Sequence, residues 1–116
     1  MEARQVQKKL IQDGQGDTPS RGDTVVIAYA GYLKDDTQPD QKGKLFDSRP
    51  DFTTPIGEGR LIQGWEEGVS RMKVGEKAIL QIPSEMGYKE RGFGNIIPPN
   101  SDLIFDIHLK EIRKKN

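Results

Sequence analysis

Three stretches of this chain alternate apolar and polar residues with a period of two, and that alternation restricts the fold more than any other feature. In 24–33, TVVIAYAGYL, one side carries Val25, Ile27, Tyr29 and Leu33. In 77–82, KAILQI, it carries Ala78, Leu80 and Ile82, and in 103–109, LIFDIHL, it carries Leu103, Phe105, Ile107 and Leu109. Successive side chains of a strand point to opposite faces, so each stretch reads as a strand with one buried face. A shorter stretch from Val6 to Ile11 reads as an edge strand, and KLFDS (44–48) as a fifth. The segments between them, DGQGDTPSRGD, KDDTQPDQKG and MGYKERGFGNIIPPN, hold the Gly, Pro, Asn and Asp that loops and hairpins need.

Only one helix fits, over Ile62–Val69. No proline interrupts it, and Glu66 and Glu67 fall in its early turns, where carboxylates suit the dipole. These two read as solvated helix-start charges, and Gly68 or a following residue can end the helix. Ile62, Trp65 and Val69, spaced by three and four, share one face. About two turns of helix are marginal alone, so that face must pack on the sheet. An antiparallel sheet with a helix on one side is an α+β architecture, and 116 residues suit one domain of this kind.

The chemistry such a chain can perform is narrowed by what it lacks. Cysteine is absent, which removes disulfides and thiolate catalysis, and a single histidine cannot build the usual zinc sites. His108 alternates with Ile107 and Leu109, which puts it on the outward face with Asp106 and Lys110, away from any inner cleft. No phosphate loop, HExxH, GxSxG or EF-hand spacing occurs. Lys plus Arg equals Asp plus Glu at 18 each, so overall charge selects neither nucleic acid nor an anionic membrane. No metal or cofactor is expected, and a soluble monomer in the cytoplasm, with access to the nucleus, is. What remains is aromatic. Tyr29 and Phe105 lie on inward strand faces, whereas Tyr88 and Phe93, in a Gly-rich loop ending IIPP, suit the wall of a cleft.

VIAYAGYL, FDS, GRLIQGWEEGV, MKVGEKAIL and GFGNIIPPNSDLIFDIHL together resemble the FKBP-type peptidyl-prolyl cis-trans isomerases, immunophilins that bind rapamycin and tacrolimus. The likeness runs in order from about Gly22 to Leu109. It implies a twisted antiparallel sheet of five or six strands wrapped around one short α-helix, with Trp65 as the floor of a hydrophobic pocket. By the same likeness Tyr29, Phe46, Leu61, Ile62, Trp65 and Phe105 line that pocket, Ile62 offers its backbone N–H to a ligand carbonyl, and Asp47 sits at the edge. Tyr88 matches the tyrosine that binds the carbonyl preceding proline; Phe93 and Ile97 lie on the loop covering the rim, and Phe52 lines the side.

The resemblance implies catalysis of rotation about Xaa-Pro bonds, with proline-containing peptides and macrolide drugs as ligands and calcineurin or the TOR kinase as drug-dependent partners. Four features depart from the family pattern: the long 34–43 loop, the short segment FDSRPDF, Met86 in place of a common tyrosine, and Lys89 where a glycine commonly follows the tyrosine. The shortening removes the usual arginine partner of the pocket aspartate and leaves Arg49 as a substitute to be tested. The altered covering loop motivates an alternative of another class, a non-catalytic module that docks proline-containing loops.

Overall fold

The computed structural model describes residues 4–115. Five antiparallel strands form one sheet: β1 (Gln7–Gln12), β2 (Thr24–Lys34), β3 (Lys42–Pro55), β4 (Lys77–Ile82) and β5 (Leu103–Arg113), in the order β1-β4-β5-β2-β3. One helix, α1 (Gln63–Val69), connects β3 to β4 and lies over one face. This is the expected α+β arrangement. Pairing puts like with like: Ala78 opposite Ile107, Leu80 opposite Phe105, Ile82 opposite Leu103 and Tyr29 opposite Ile107. All the inward positions of β4 and β5 anticipated from the alternation are buried. Each such aliphatic side chain contributes roughly 1.5–3 kcal/mol by leaving water.

β3 is much longer than the expected 44–48. Residues 49–55 stay paired with β2, Ile27 opposite Phe52 and Thr24 opposite Pro55, with register shifts that absorb the mismatch. The short FDSRPDF segment leaves too little chain to loop away from the sheet, so it continues the strand.

The helix approaches β4 closely because two glycines face it. A Cβ on Gly64 would fall 2.5 Å from Ile82 Cγ2, and one on Gly68 2.5 Å from Leu80 Cδ1. Gly68 lies inside the helix, which ends at a following residue, with Ser70 as the C-cap. Spaced by four, the two glycines form one smooth stripe, beside which Trp65 and Val69 are buried.

The opposite face of the sheet is not wholly bare. Ile104 is 1% exposed although it points away from the helix side. The long loop of residues 35–41 folds back over it: Asp35 and Gln41 close the hairpin through Asp35 N–H to the Gln41 carbonyl at 2.8 Å, and the Gln81 amide of β4 donates to Gln41 Oε1 at 3.1 Å. Asp35 accepts from both the backbone N–H and the hydroxyl of Thr37, which hold its carboxyl below the usual carboxylate range.

The 83–102 connection between β4 and β5 is fixed at both feet. Arg4 pairs with Glu85 and, at 2.7 Å, with Asp102, while Asp102 also accepts the Ser84 N–H at 2.8 Å. The arginine's hydrogen bond pulls the Glu85 carboxyl down to about 2.

Adding a methyl to the helix stripe should be costly even though alanine favours helices. Gly68→Ala gains about 1 kcal/mol of propensity but overpacks Leu80 by roughly 1–3 kcal/mol, so urea denaturation should show a net loss near 1 kcal/mol. A clearly raised unfolding midpoint would contradict the close approach.

Candidate functional site

Between α1, β2, β3 and β5 the inner face opens into a cleft of about 410 Å³, lined by Tyr29, Phe46, Asp47, Phe52, Arg60, Leu61, Ile62, Trp65, Tyr88 and Phe105. Trp65 is its centre. The indole meets Tyr29 at 4.9 Å, Phe105 at 5.2 Å and Phe52 at 6.0 Å between ring centroids, each edge to face at 77–89°. Phe46 meets Phe105 in the same way at 5.6 Å. Edge-to-face contacts set positive ring edges against negative faces, adding about 0.5–1.5 kcal/mol per pair beyond burial, and they fix each ring's orientation.

Room for two of these rings comes from a glycine. A Cβ on Gly31 would stand 2.6 Å from Phe105 Cε1 and 2.8 Å from Phe46 Cζ. Gly31 pairs with Phe105 on β5 and Asp47 on β3, so its bare backbone lies behind the two rings that line this end of the cleft. An isolated glycine within an alternating strand is the one mark of this in the sequence.

The polar groups gather at one end. Tyr29 donates its hydroxyl to Asp47 Oδ2 at 2.6 Å. Burial first, and then this bond, push the Tyr29 hydroxyl pKa well above its ordinary value. Tyr88, which lines the same cleft, is also raised, by burial and by the Asp47 charge. Among the described residues the Tyr88 hydroxyl has no partner in the chain, which leaves it able to donate to an occupant. Arg49 does not take the place of the missing family arginine: its guanidinium lies 4.8 Å from the Phe52 ring centre, and no ion pair joins it to Asp47. Among the described residues Asp47 is thus answered only by a neutral hydroxyl.

Glu66 is not the solvated helix charge expected. Its carboxylate accepts the N–H of Gly57 at 3.1 Å and of Gly59 at 2.8 Å, fixing the turn that delivers Arg60, Leu61 and Ile62 to the cleft. Both glycines have positive φ, 79° and 73°, which bends the backbone around one carboxylate. Glu67 is not freely solvated either, since its Oε2 is buried without a partner. Ile62 is the N-cap of the helix in an extended conformation. Its N–H meets no backbone acceptor among the described residues, as a donor to an occupant requires.

Two residues expected at the rim stand elsewhere. Ile97 is only 3% exposed and belongs to the core, because its paired backbone bonds with Phe93 turn it inward. Phe93 does not line the cleft; it is about half exposed and lies edge to face on Tyr88 at 5.4 Å, supporting that ring from outside. The departures in this loop have local reasons. Met86 is buried in the core, and Lys89 has φ 56°, the left-handed region that explains why glycine is common there. The loop is nonetheless tied together by Asn100 N–H to the Lys89 carbonyl at 2.8 Å and Gly92 N–H to Tyr88 at 3.1 Å. That bracing leaves little of the looseness behind the docking alternative.

No cluster of three or more His, Asp or Glu able to hold a metal occurs among the described residues. His108 lies on the outer face opposite Ala28, and burial together with Lys77 and Lys110 lowers its pKa. The one residue at the cleft that the sequence did not suggest is Arg60; its position directly before Leu61 and Ile62 was the only hint.

A family profile described as FKBP-type peptidyl-prolyl cis-trans isomerase matches residues 16–110. The chain is 59% identical over 103 residues to FK506-binding protein 1B of Neurospora crassa, covering 86% of this chain and 91% of the relative. It is 47% identical over 110 residues to FK506-binding protein 1 of Gibberella zeae, covering 92% and 97%, and 45% identical over 115 residues to the peptidyl-prolyl cis-trans isomerase of Schizosaccharomyces pombe, covering 95% and 96%.

With both cleft tyrosines raised above the ordinary phenol value of about 10, neither hydroxyl should ionise in mildly alkaline solution. Occupancy of the cleft, followed through Trp65 fluorescence, should therefore be flat from about pH 6 to about pH 9. A titration step within that range would show that a cleft hydroxyl ionises more readily than its surroundings imply.

Proposed function

The chain belongs to the FKBP-type peptidyl-prolyl cis-trans isomerase family and catalyses rotation about Xaa-Pro bonds; we propose that the aromatic cleft around Trp65 is the place where it does so. The observation that carries this is the cleft's make-up: an edge-to-face aromatic cage with one carboxylate bound to Tyr29 and one unpartnered hydroxyl on Tyr88.

Twisting a peptide bond costs roughly 18–20 kcal/mol because resonance is lost, whereas cis and trans Xaa-Pro differ by only about 0.5–1 kcal/mol. A catalyst need only favour the twisted state; no proton has to move. The twisted carbonyl is less polarised than the planar amide and loses less on leaving water. Dry walls therefore bind it better relative to water than they bind the ground state. The prolyl ring lies over the indole of Trp65, held between Phe46, Phe52 and Phe105. Tyr88 donates to the carbonyl preceding proline and the Ile62 N–H to a further carbonyl, so one side of the bond is held while the other turns. Asp47, tied to Tyr29, orients that ring and contributes a fixed charge. An acceleration of about 10⁶-fold needs roughly 8 kcal/mol of differential binding, so shape, desolvation and hydrogen bonding must act together.

The same cleft is proposed to take the macrolides tacrolimus and rapamycin, a reading supported by relatives named for binding FK506. Half-exposed Leu45, Phe93 and Ile96 would then add apolar surface for a drug-dependent partner such as calcineurin or the TOR kinase. A chain free of cysteine suits a reducing cytoplasm, where a monomer would act on protein substrates during folding.

A protease-free exchange assay on an Xaa-Pro peptide tests the site. Phe46→Ala, which removes a half-buried wall outside the core, should cut kcat/KM and drug affinity by roughly 100-fold, whereas Tyr88→Phe, losing one hydrogen bond of about 0.5–1.5 kcal/mol, should cut kcat/KM only about two- to tenfold. Equal losses in folded proteins would contradict the division between wall and hydrogen-bond donor, and full activity in Phe46→Ala would move the site elsewhere.

A further inference from the structure

The cleft is electrically lopsided at its mouth. Asp47, Tyr29 and Tyr88 make one end, where the carboxylate is already engaged by a hydroxyl. The wall leading into α1 carries Arg60, whose side chain is 68% exposed and whose only ion pair among the described residues is with Glu58 at 4.0 Å, the outer limit of such contact. Its guanidinium is therefore largely uncommitted, yet its position is not arbitrary: the turn before it is fastened by Glu66 through Gly57 and Gly59. Arg49, whose guanidinium lies on Phe52, does not line the cleft, so Arg60 is the one cation among its lining residues. Nothing in the catalytic argument uses either charge, since the reaction at the indole needs apolar walls and neutral donors.

The geometry points to Arg60 as a specificity residue that selects Xaa-Pro substrates carrying an acidic side chain close to the proline. This rests on the cleft being the isomerase site. A proline seated over Trp65 brings its neighbouring residues to the mouth, where an aspartate or glutamate side chain of the substrate can meet the uncommitted guanidinium. A lysine there would be repelled. Arginine is suited to the role because its planar fork binds a carboxylate through two parallel N–H bonds. Being exposed, the pairing is modest and salt-dependent. It acts as a preference among substrates, expressed in KM, rather than as a requirement for turnover.

The test uses the full chain and two series of proline peptides, one with Glu, Gln or Lys two residues before the proline and one with the same residues directly after it. Exchange rates are measured at low salt and in about 1 M sodium chloride, where charges are screened beyond about 3 Å. In at least one series the Glu peptide should exceed the Lys peptide in kcat/KM by about three- to tenfold at low salt, mostly through KM, and the ratio should shrink at high salt. Arg60→Gln should bring the ratio close to one and Arg60→Glu should invert it. The Glu and Lys peptides titrated against Trp65 fluorescence should show the same order of affinity. Ratios unchanged by either substitution, or indifferent to salt, overturn the inference while leaving the isomerase site standing. If Phe46→Ala leaves every peptide's exchange intact, the cleft assignment falls first and this inference with it.

Discussion

The closeness of the helix to the sheet decides what this molecule can be. Two glycines on one stripe of α1 let the helix backbone settle against Ile82 and Leu80, nearer than any side chain would permit. That approach sinks Trp65 between the strands instead of leaving it as a cap above them. The indole is then low enough for Tyr29, Phe52 and Phe105 to surround it edge-on. A seven-residue helix has almost no stability of its own, so the aromatic cage and the helix hold each other in place. The same logic recurs at Gly31, where an absent side chain leaves the rings of Phe46 and Phe105 their places. In this fold the shape of the cleft is set as much by missing Cβ atoms as by the rings that line it.

A second theme is restraint in the use of charge. The inner cleft holds two phenols that resist ionisation and one carboxylate placed at the exposed edge, where water still screens it. A charge deeper in would have to be desolvated on binding and would polarise the surroundings against a twisted, weakly polar amide. The fixed ionic contacts lie elsewhere: Arg4 with Glu85 and Asp102 below the covering loop, Lys8 with buried Glu76 at the edge strand, and Glu66 behind the turn that leads to the cleft. They hold the frame while the chemistry stays apolar.

The strands were the most legible part of the sequence, because alternation over 24–33, 77–82 and 103–109 reports directly which face is buried. The helix was legible from Ile62, Trp65 and Val69, but the packing role of Gly64 and Gly68 was not, since nothing local distinguishes a glycine that ends a helix from one that lets a strand approach. Glu66 was misread for a similar reason: its acceptors are backbone amides at positions 57 and 59, and backbone geometry leaves no mark in composition. β3 is longer than the 44–48 read from KLFDS because its edge position lets Pro50 sit in a strand without a missing ladder bond. Apart from Tyr88, whose Gly-rich loop already suggested a cleft wall, the cleft's aromatic set became readable only as a family likeness, since a ring that lines a hollow and a ring that fills a core have the same local pattern. Ile97 shows the other side of that ambiguity: its place in the likeness suggested a rim, and a pair of backbone bonds turned it into the interior.

The loop over Ile104 has a mechanical consequence. β3 is the outermost strand on its side of the sheet, and it carries Phe46 and Asp47. Such a border strand would ordinarily be the easiest to peel away. Here its first residues leave a loop that is latched, through Gln41 and Gln81, onto β4, a strand two positions beyond its only neighbour. The latch works like a strap across the back of an open hand: it resists splaying of the fingers, and so keeps the width of the palm on the other side constant.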